Sequence, residues 1–280
     1  MTIAELVHET ARQLEAAGID DARLEAEVLL SASLDVDRTR LLSRLREAVP
    51  DDTARRLQAF MTRRLGHEPL AYIVGHREFY ALDLICAPGA LIPRPETEML
   101  VDLALDEARR RGGEIRVADV GTGSGAVAVA VAANAPSARV VAIDVSRDAL
   151  DVARRNIERY SLERRIELRC GDLLENEGTH DLILANLPYV AEGSWRTLPP
   201  EIREREPRMA LVGGAAGSEV ISRLLAHAPS HLSRGGVLAA EIGETQGQEV
   251  LAAAACAFPC GQTRVETDAA GRDRMLVVRT

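Results

Sequence analysis

The chain has 280 residues, of which 46% are hydrophobic, and a formal net charge of −9 at pH 7. This length and composition favour two globular domains, and the acidic balance disfavours a protein that coats nucleic acid through clustered cations. All 34 basic residues are arginine, which excludes Schiff-base catalysis by lysine and the phosphate-binding lysine of a P-loop.

Residues 1–72 are predicted to form a small helical domain. Apolar residues such as Ile3, Leu6 and Val7 recur on helical periods, and no segment here has a strand pattern. Arginines are frequent between residues 38 and 64, which suits the solvated faces of a helical bundle or a docking surface for an acidic partner. In residues 73–95 the runs REFY and DLICA predict two short strands, followed by a proline- and glycine-rich segment. We interpret this second region as a hairpin linker.

Residues 96–280 alternate between strand and helix patterns. Apolar, β-branched runs separated by helical segments predict a mostly parallel sheet with helices on both faces, which is a Rossmann-like α/β fold. The last two runs are joined by AAGRD, which is too short for a crossover helix, so the final strand should be antiparallel. The seven predicted strands contain the runs RVADV, ARVVAID, RIELR, DLILAN, GVLAAEI, TRVETD and MLVVRT.

A glycine-rich turn follows the first strand of this sheet. It consists of Gly121, Thr122, Gly123, Ser124 and Gly125. Glycines let a ligand approach the backbone closely, and a helix that begins at about Ala126 offers free N–H groups. The turn therefore predicts a cofactor site. Because Ala126 completes a loose match to the dinucleotide-binding pattern, a nucleotide-dependent oxidoreductase stays a candidate.

Acidic residues stand at the ends of the next two predicted strands. Asp144 ends the second strand, where a carboxylate can accept both hydroxyls of an adenosine ribose. Asp172 and Leu173 follow the third strand, where they can meet an adenine amino group and ring. A helix-capping aspartate and an ordinary loop residue are the alternatives. Since these features share one edge of the sheet with the glycine turn, we expect one ligand site.

The fourth strand ends in Asn186, Leu187, Pro188 and Tyr189. This turn resembles the Asn/Asp-Pro-Pro-Tyr/Phe motif of methyltransferases that modify planar amides and amino groups. An amide nitrogen is a poor nucleophile, so a site must hold its N–H groups with acceptors and aim the nitrogen at the methyl group. The Asn186 side-chain oxygen and the Leu187 carbonyl suit that task, Tyr189 offers a flat wall, and Pro188 stiffens the turn.

Further segments extend the resemblance along nearly the whole chain. They are EPLAYIVGHREFY, IPRPETE, ADVGTGSG, NLPY, EPRMAL and GGVLAAEIGETQG. Together they are similar to the release-factor glutamine methyltransferase family, known as HemK or PrmC. The resemblance implies a helical substrate-recognition domain over residues 1–72, a hairpin linker over 73–95 and a seven-stranded methyltransferase domain over 96–280. It also implies methylation of the glutamine in the Gly-Gly-Gln motif of bacterial class I peptide chain release factors.

The same resemblance implies S-adenosylmethionine as cofactor and S-adenosylhomocysteine as product. Carried onto this sequence, the family's cofactor site comprises the loop 121–125, Asp144 for the ribose, Leu173 after Asp172 for the adenine, and Asn186. Residues 186–189 are the substrate clamp, in which Asn186 touches both cofactor and substrate. This chain departs from the family pattern at Leu187, where proline is usual, and at Leu173, where an aromatic residue is often found.

Composition and spacing also bear on location and on other functions. Four scattered cysteines form neither a disulfide framework nor a metal site, and no apolar run approaches the roughly 20 residues of a membrane span. We therefore expect a cytoplasmic protein without metal, membrane or direct nucleic-acid partner. The rival functions are glutamine methylation of a ribosomal protein, adenine methylation of nucleic acid, the oxidoreductase and a non-catalytic docking module. Adenine methylation would need a basic cleft, which this acidic chain does not suggest.

Overall fold

The computed structural model describes residues 1–175 and 177–280 and divides them into two compact units. One unit comprises Met1–Gly75 together with Pro200–Arg205, and the other comprises His76–Pro199 together with Glu206–Thr280. Within the described ranges, no helix combines the length and the apolar character that a membrane span requires.

The helices are α1 Ile3–Ala16, α2 Ala22–Leu34, α3 Arg38–Ser43, α4 Asp51–Leu65, α5 Leu70–Val74, α6 Glu98–Arg111, α7 Ala126–Asn134, α8 Arg147–Arg159, α9 Pro200–Arg205, α10 Glu219–His231 and α11 Gly247–Ala257. The strands are β1 His76–Phe79, β2 Leu82–Ile85, β3 Ile115–Val120, β4 Ala138–Asp144, β5 Ile166–Cys170, β6 His180–Ala185, β7 Val190–Ala191, β8 Val212–Gly214, β9 Leu232–Glu241, β10 Gln262–Thr267 and β11 Asp273–Arg279. Short 3₁₀ turns cover Pro95–Thr97, Glu192–Thr197 and Arg208–Ala210.

The first unit is helical, as its sequence pattern predicted. It consists of α1 to α5 and α9. Thr2 and Glu5 form a reciprocal capping box that satisfies N–H groups at the start of α1. Leu29, Leu30 and Leu41 are fully buried in its core. The unit therefore has a hydrophobic core of its own.

A buried ion-pair cluster ties α9 into this helical unit. The Arg64 guanidinium lies in α4 with only 4% of the residue exposed, and it donates to both Glu25 carboxylate oxygens at 2.6 and 2.9 Å. It also lies 2.7 Å from Glu201 of α9. Arg205 of α9 donates to the Gly66 carbonyl at 2.7 Å. Since buried charges require partners, Arg64 makes the segment 200–205 part of the helical unit although it is distant in sequence.

The second unit is built on a seven-stranded sheet with the order β10-β11-β9-β6-β3-β4-β5. Strands β9, β6, β3, β4 and β5 are parallel, whereas β11 is antiparallel to both β9 and β10. The seven predicted strands and the antiparallel final strand are confirmed. The chain moves outward from β3 to β4 and β5, and then returns to β6 on the other side of β3. This reversal is where open α/β sheets bind ligands at their carboxyl edge.

Helices cover both faces of the sheet. On one face α7 is almost wholly apolar, with residues 126–132 buried, and it packs with α6 into one core cluster. On the other face α10 and α11 pack against a second cluster that also contains Leu173 and Leu187. Both surfaces of the parallel strands are thus buried, as expected for strands with continuous apolar sequences.

Strands β1 and β2 form the predicted antiparallel hairpin. Its turn residues Tyr80 and Ala81 both have positive φ, at 50° and 58°, which matches the twist of a tight hairpin. Phe79 is buried in the core of the second unit, and Asn156 of α8 bonds both backbone polar groups of Ile85. The burial of Phe79 and Leu84 and the bonds from Asn156 place the hairpin within the second unit, which begins at His76. The predicted domain boundaries at residues 72 and 95 stay predictions.

Candidate active site

A cavity of about 430 Å³ lies at the carboxyl ends of β3, β4, β5 and β6. Its walls contain the glycine turn after β3, the start of α8, the turn after β6, and segments before α6 and after α9. Among the predicted site residues, those lining it are Gly121, Thr122, Gly123, Ser124, Asp144, Asp172, Leu173, Asn186, Leu187 and Pro188. The structure therefore brings residues from four strand ends to one concave surface, which is the usual setting of a ligand site.

The glycine turn supplies backbone rather than side chains to the cavity. Gly121 has φ +72°, and a Cβ there would come within 2.9 Å of the Leu187 Cδ2 atom. At Gly123, with φ +56°, the nearest atom to such a Cβ is the Gly121 carbonyl oxygen at 4.0 Å. Gly123 thus leaves open space in which a ligand can approach the main chain. Gly125 does not line the cavity, because it packs against Ala153 of α8, 3.1 Å from where its Cβ would lie.

Asp144 organises the glycine turn from the end of β4. Its two carboxylate oxygens accept the N–H groups of Gly123 and Ser146, each at 2.8 Å. Burial raises the pKa of Asp144, while these backbone N–H groups act in the opposite direction. The carboxylate is therefore fixed in place, with its remaining lone pairs available on the cavity side.

Asp119 is a second acid in the cavity wall, and only 2% of it is exposed. It accepts the Thr122 hydroxyl at 2.6 Å and the Ala128 N–H at 3.1 Å. Burial raises the pKa of Asp119 to about 6, although both hydrogen bonds oppose that shift. The group lies in a poorly solvated part of the wall, and its carboxylate form favours a ligand that carries positive charge nearby.

The third strand end adds a polar and an apolar group. Asp172 lines the cavity and forms an ion pair with Arg223 of α10. Leu173 is buried, has φ +54°, and contributes an apolar surface. Val145 also lines the cavity and is 48% exposed, although no sequence pattern singled it out. An apolar side chain left open beside Asp144 suits the face of a flat ring.

The turn after β6 is anchored by long-range contacts. The Asn186 amide nitrogen donates to the Thr97 hydroxyl at 2.9 Å, and Thr97 donates to Glu241 at 2.6 Å. Leu187 is 5% exposed and packs over Gly121. The predicted role of the Asn186 oxygen is compatible with this geometry, because the amide nitrogen already has its partner on the protein side.

Tyr189 is not among the residues that line the cavity. Burial, the charge of Glu241 and a hydrogen bond between the two side chains raise the pKa of Tyr189 to about 12. Its carbonyl accepts from the Gln246 side chain at 3.1 Å. The Tyr189 contacts fix the turn from the protein side, and the predicted wall against a substrate amide stays a prediction.

Other cavity residues come from segments whose sequences had carried only a family resemblance. Arg94 of IPRPETE and Met209 of EPRMAL both line the cavity, and Met209 is 58% exposed. The buried Glu206 carboxylate binds Arg94 at 2.5 Å and the Ile92 N–H at 3.1 Å. The two motifs could have indicated further site residues. Because they are far apart in the sequence, nothing in either motif indicates that Glu206 binds Arg94 and Ile92.

Comparisons with known proteins agree with this architecture. A family model described as the PrmC N-terminal domain matches residues 5–75, and one described as a methyltransferase small domain matches residues 96–198. A release factor glutamine methyltransferase from Moorella thermoacetica is 41% identical over 276 residues, which are 98% of this chain and 97% of the relative. This chain belongs to the release factor glutamine methyltransferase family.

Two further comparisons support family and fold separately. A release factor glutamine methyltransferase from Cereibacter sphaeroides is 36% identical and spans 100% of this chain and 99% of its own length. The crystal structure of a methyltransferase from Pyrococcus furiosus is 21% identical, with a TM-score of 0.53, and covers 79% of this chain and 96% of its own. This structural likeness concerns the fold, and the near-complete sequence matches carry the family assignment.

Proposed function

We propose that this member of the family transfers a methyl group from S-adenosylmethionine to the side-chain amide nitrogen of the glutamine in the Gly-Gly-Gln motif of class I peptide chain release factors, in the cytoplasm. The observation that carries this proposal is the Asn186 turn, which meets the glycine turn at one cavity and leaves the Asn186 oxygen unused by Thr97. Near full-length relatives carry the name of this activity.

The cavity suits the charge of S-adenosylmethionine. Both arginines that line it are paired with carboxylates, Arg94 with Glu206 and Arg223 with Asp172. Asp119 and Asp144 form no such pairs with these arginines and give the cavity an acidic character. A cationic sulfonium and ammonium group would be stabilised there, whereas a polyphosphate would be repelled. This contrast favours the methyltransferase over the oxidoreductase.

The shape of the cavity suits the adenosine part. Asp144 would accept the ribose hydroxyls, with its carboxylate already oriented by two backbone N–H groups. Val145 and Leu173 would lie against the adenine ring. Asp172 lines the same cavity and would accept a hydrogen bond from the adenine amino group. Gly123 has room for close approach of the ligand to the turn. These side chains are held before the ligand arrives, which lowers the ordering cost of binding.

The Asn186 turn would hold the substrate amide. The Asn186 oxygen and the Leu187 carbonyl would accept its two N–H groups and aim the nitrogen at the methyl group. When bound, S-adenosylmethionine would supply an electrophilic methyl group, and the proton displaced from the glutamine nitrogen would pass to solvent after the transfer. Because the positive charge of the sulfonium disappears in the transfer, the residues need only bind, orient and exclude water.

Labelled S-adenosylmethionine tests the proposal directly. A panel of a class I release factor, ribosomal proteins and DNA would be incubated with the protein, and we expect label on the release factor glutamine alone. Asn186→Ala should lower turnover on the order of 100-fold or more, since a preorganised acceptor is lost, while Asn134→Ala, a matched change on α7, should not. Label on a ribosomal protein or DNA instead would replace the proposed substrate.

The helical unit is the proposed recognition domain for the release factor. The cavity-lining residues all belong to the second unit, so the helical unit is free to serve recognition instead. The helical unit has its own core. It also contains α9, which is joined to it by the ion pair of Arg64 with Glu201 and lies in the sequence between the Asn186 turn and Met209. A separately folded unit connected at this point suits recognition of a whole protein rather than of the methylated glutamine itself.

A further inference from the structure

Two buried polar residues of the family-like segments have no role in the reaction as described so far. Thr97 ends the 3₁₀ turn of IPRPETE, and Glu241 ends β9 in GGVLAAEIGETQG. Each is only 4% exposed. Buried polar side chains are costly unless hydrogen-bonded, so their partners indicate what they do. Their hydrogen bonds lead to Asn186, which directly follows the neighbouring strand β6.

The number of hydrogen-bond donors in this group determines which residue donates to which. The Thr97 hydroxyl has a single hydrogen, which it donates to the Glu241 carboxylate at 2.6 Å. The hydroxyl can then only accept from Asn186, at 2.9 Å. The end of the Asn186 side chain that faces Thr97 must therefore be its NH₂ group. The oxygen is left at the other end of the carboxamide, without Thr97 as its partner, in a residue that lines the cavity.

This direction depends on Glu241 being a carboxylate. Arg274 of β11 and the Tyr189 hydroxyl both favour the charged form, whereas burial and the nearby charge of Glu96 oppose it. Burial is the largest influence and raises the pKa of Glu241. A protonated Glu241 would itself be able to donate to Thr97, which would free the Thr97 hydrogen for the Asn186 oxygen. The carboxamide would then turn by about 180°.

We propose that Glu241 and Thr97 are positioning residues that set the orientation of the Asn186 carboxamide, so that its oxygen and not its nitrogen meets the glutamine amide. The hydrogen bonds from Asn186 to Thr97 and from Thr97 to Glu241 are called the relay below. This inference rests on the proposed function, in which Asn186 accepts an N–H of the substrate. In the reverse orientation two NH₂ groups would face each other without an acceptor between them. While it is ionised, Glu241 thus selects a productive site although it does not touch the reacting atoms.

Three variants of the full chain separate this role from simple packing. Thr97→Val keeps the volume and removes the hydroxyl, Thr97→Ser keeps the hydroxyl, and Glu241→Gln keeps the shape and removes the charge. Glu107→Gln is the matched control, because Glu107 is also buried, pairs with Arg110 and Arg279, and does not line the cavity. Turnover of a release factor, affinity for S-adenosylhomocysteine by calorimetry, and affinity for a Gly-Gly-Gln peptide are measured for each.

We expect Thr97→Val to lower kcat about 10- to 100-fold, the effect of losing one well-placed hydrogen bond to the substrate. Glu241→Gln should lower kcat less, because the glutamine oxygen can still accept from Thr97 while its NH₂ group can also donate to it. Peptide affinity should fall as well, while affinity for S-adenosylhomocysteine should fall less, because Asp144 and the glycine turn, which would make the other contacts to that ligand, are unchanged. Thr97→Ser and Glu107→Gln should keep kcat close to that of the wild type. With saturating cofactor, kcat of the wild type should fall as acid protonates Glu241 and the other acids of the cavity wall, and the fall should be smaller in Glu241→Gln.

The outcomes distinguish the relay from the function on which it rests. A folded Thr97→Val variant with kcat within threefold of an active wild type would overturn the relay alone. Equal losses in Thr97→Ser and Thr97→Val would also overturn it, because the hydroxyl would then not be the deciding group. A wild type that fails to methylate the release factor while binding S-adenosylhomocysteine would overturn the proposed substrate, and the relay would lose its purpose with it.

Discussion

Replacing Asp144 by alanine removes a carboxylate that has two separable roles. In the protein alone it accepts the N–H groups of Gly123 and Ser146, each at 2.8 Å. Hydrogen bonds to a charged acceptor contribute about 1.5–3 kcal/mol each when buried. Asp144 is only partly buried, so water will replace part of this contribution. We expect Asp144→Ala to lower the free energy of unfolding by about 1–3 kcal/mol in total.

The same substitution should weaken S-adenosylhomocysteine binding about 10- to 100-fold, because one charge-assisted bond to the ribose is lost. Calorimetry with the ligand and with its 2′,3′-dideoxy analogue separates the ribose contact from the order of the glycine turn. The wild type should prefer the ligand over the analogue, and Asp144→Ala should lose most of that preference. Asp151→Ala, which removes an exposed carboxylate of α8 paired with Arg154, is the control.

Unchanged affinity in a folded Asp144→Ala variant would refute the ribose assignment. An equal loss for the ligand and its dideoxy analogue would show instead that Asp144 acts only by ordering the turn. Binding of NAD in place of S-adenosylhomocysteine would revive the oxidoreductase.

Three other perturbations test different parts of the molecule. Leu187→Pro should keep or improve turnover, with any gain limited to about 1 kcal/mol of activation free energy. Its melting temperature should fall, because removing the leucine side chain that packs over Gly121 leaves a void. A tenfold loss of rate in a folded, cofactor-binding variant would contradict the proposed role of the Leu187 carbonyl. Since burial raises the pKa of Asp119 from 3.8 to about 6, the folded state binds this proton more tightly than the unfolded state does. The free energy of unfolding should therefore decline on the order of 2–3 kcal/mol as pH rises between these two values and remain lower above them. Urea unfolding at pH 4.5 and 7 should show this decline in the wild type and not in Asp119→Asn, and an equal decline in both proteins would contradict the reasoning. Deleting residues 1–70 should raise KM for an intact release factor far more than for a Gly-Gly-Gln peptide, and equal effects would exclude a recognition role.

The sheet could be predicted because each strand carries its own local signal. The apolar, β-branched residues of strands such as β4 and β6 are buried or half-buried, so their patterns do not depend on knowing their neighbours. The antiparallel direction of β11 followed from the length of one loop. Residues at strand ends, such as Asp144 and Asn186, could then be placed on one edge by topology alone.

Contacts across large sequence distances could not be predicted in this way. Asn186 and Thr97 are 89 positions apart, and Thr97 and Glu241 are 144 apart. Nothing in the residues around each one indicates that their side chains meet. The short segment 200–205 poses the same problem, because its place in the helical unit depends on Arg64, which lies far earlier in the chain. Such contacts depend on the packed fold rather than on local periodicity.

The departure at Leu187 becomes understandable from the contacts around the turn. A proline would restrict the backbone through its ring, and without that ring the turn must be ordered in another way. In the structure the turn is restrained by its neighbours instead: Leu187 packs over Gly121, and Gln246 holds the carbonyl of Tyr189 at 3.1 Å. Each contact fixes a different atom of the turn, on either side of the Leu187 carbonyl. Tertiary contacts can therefore provide the order that the ring would have provided, and Leu187 is compatible with an active site built around Asn186.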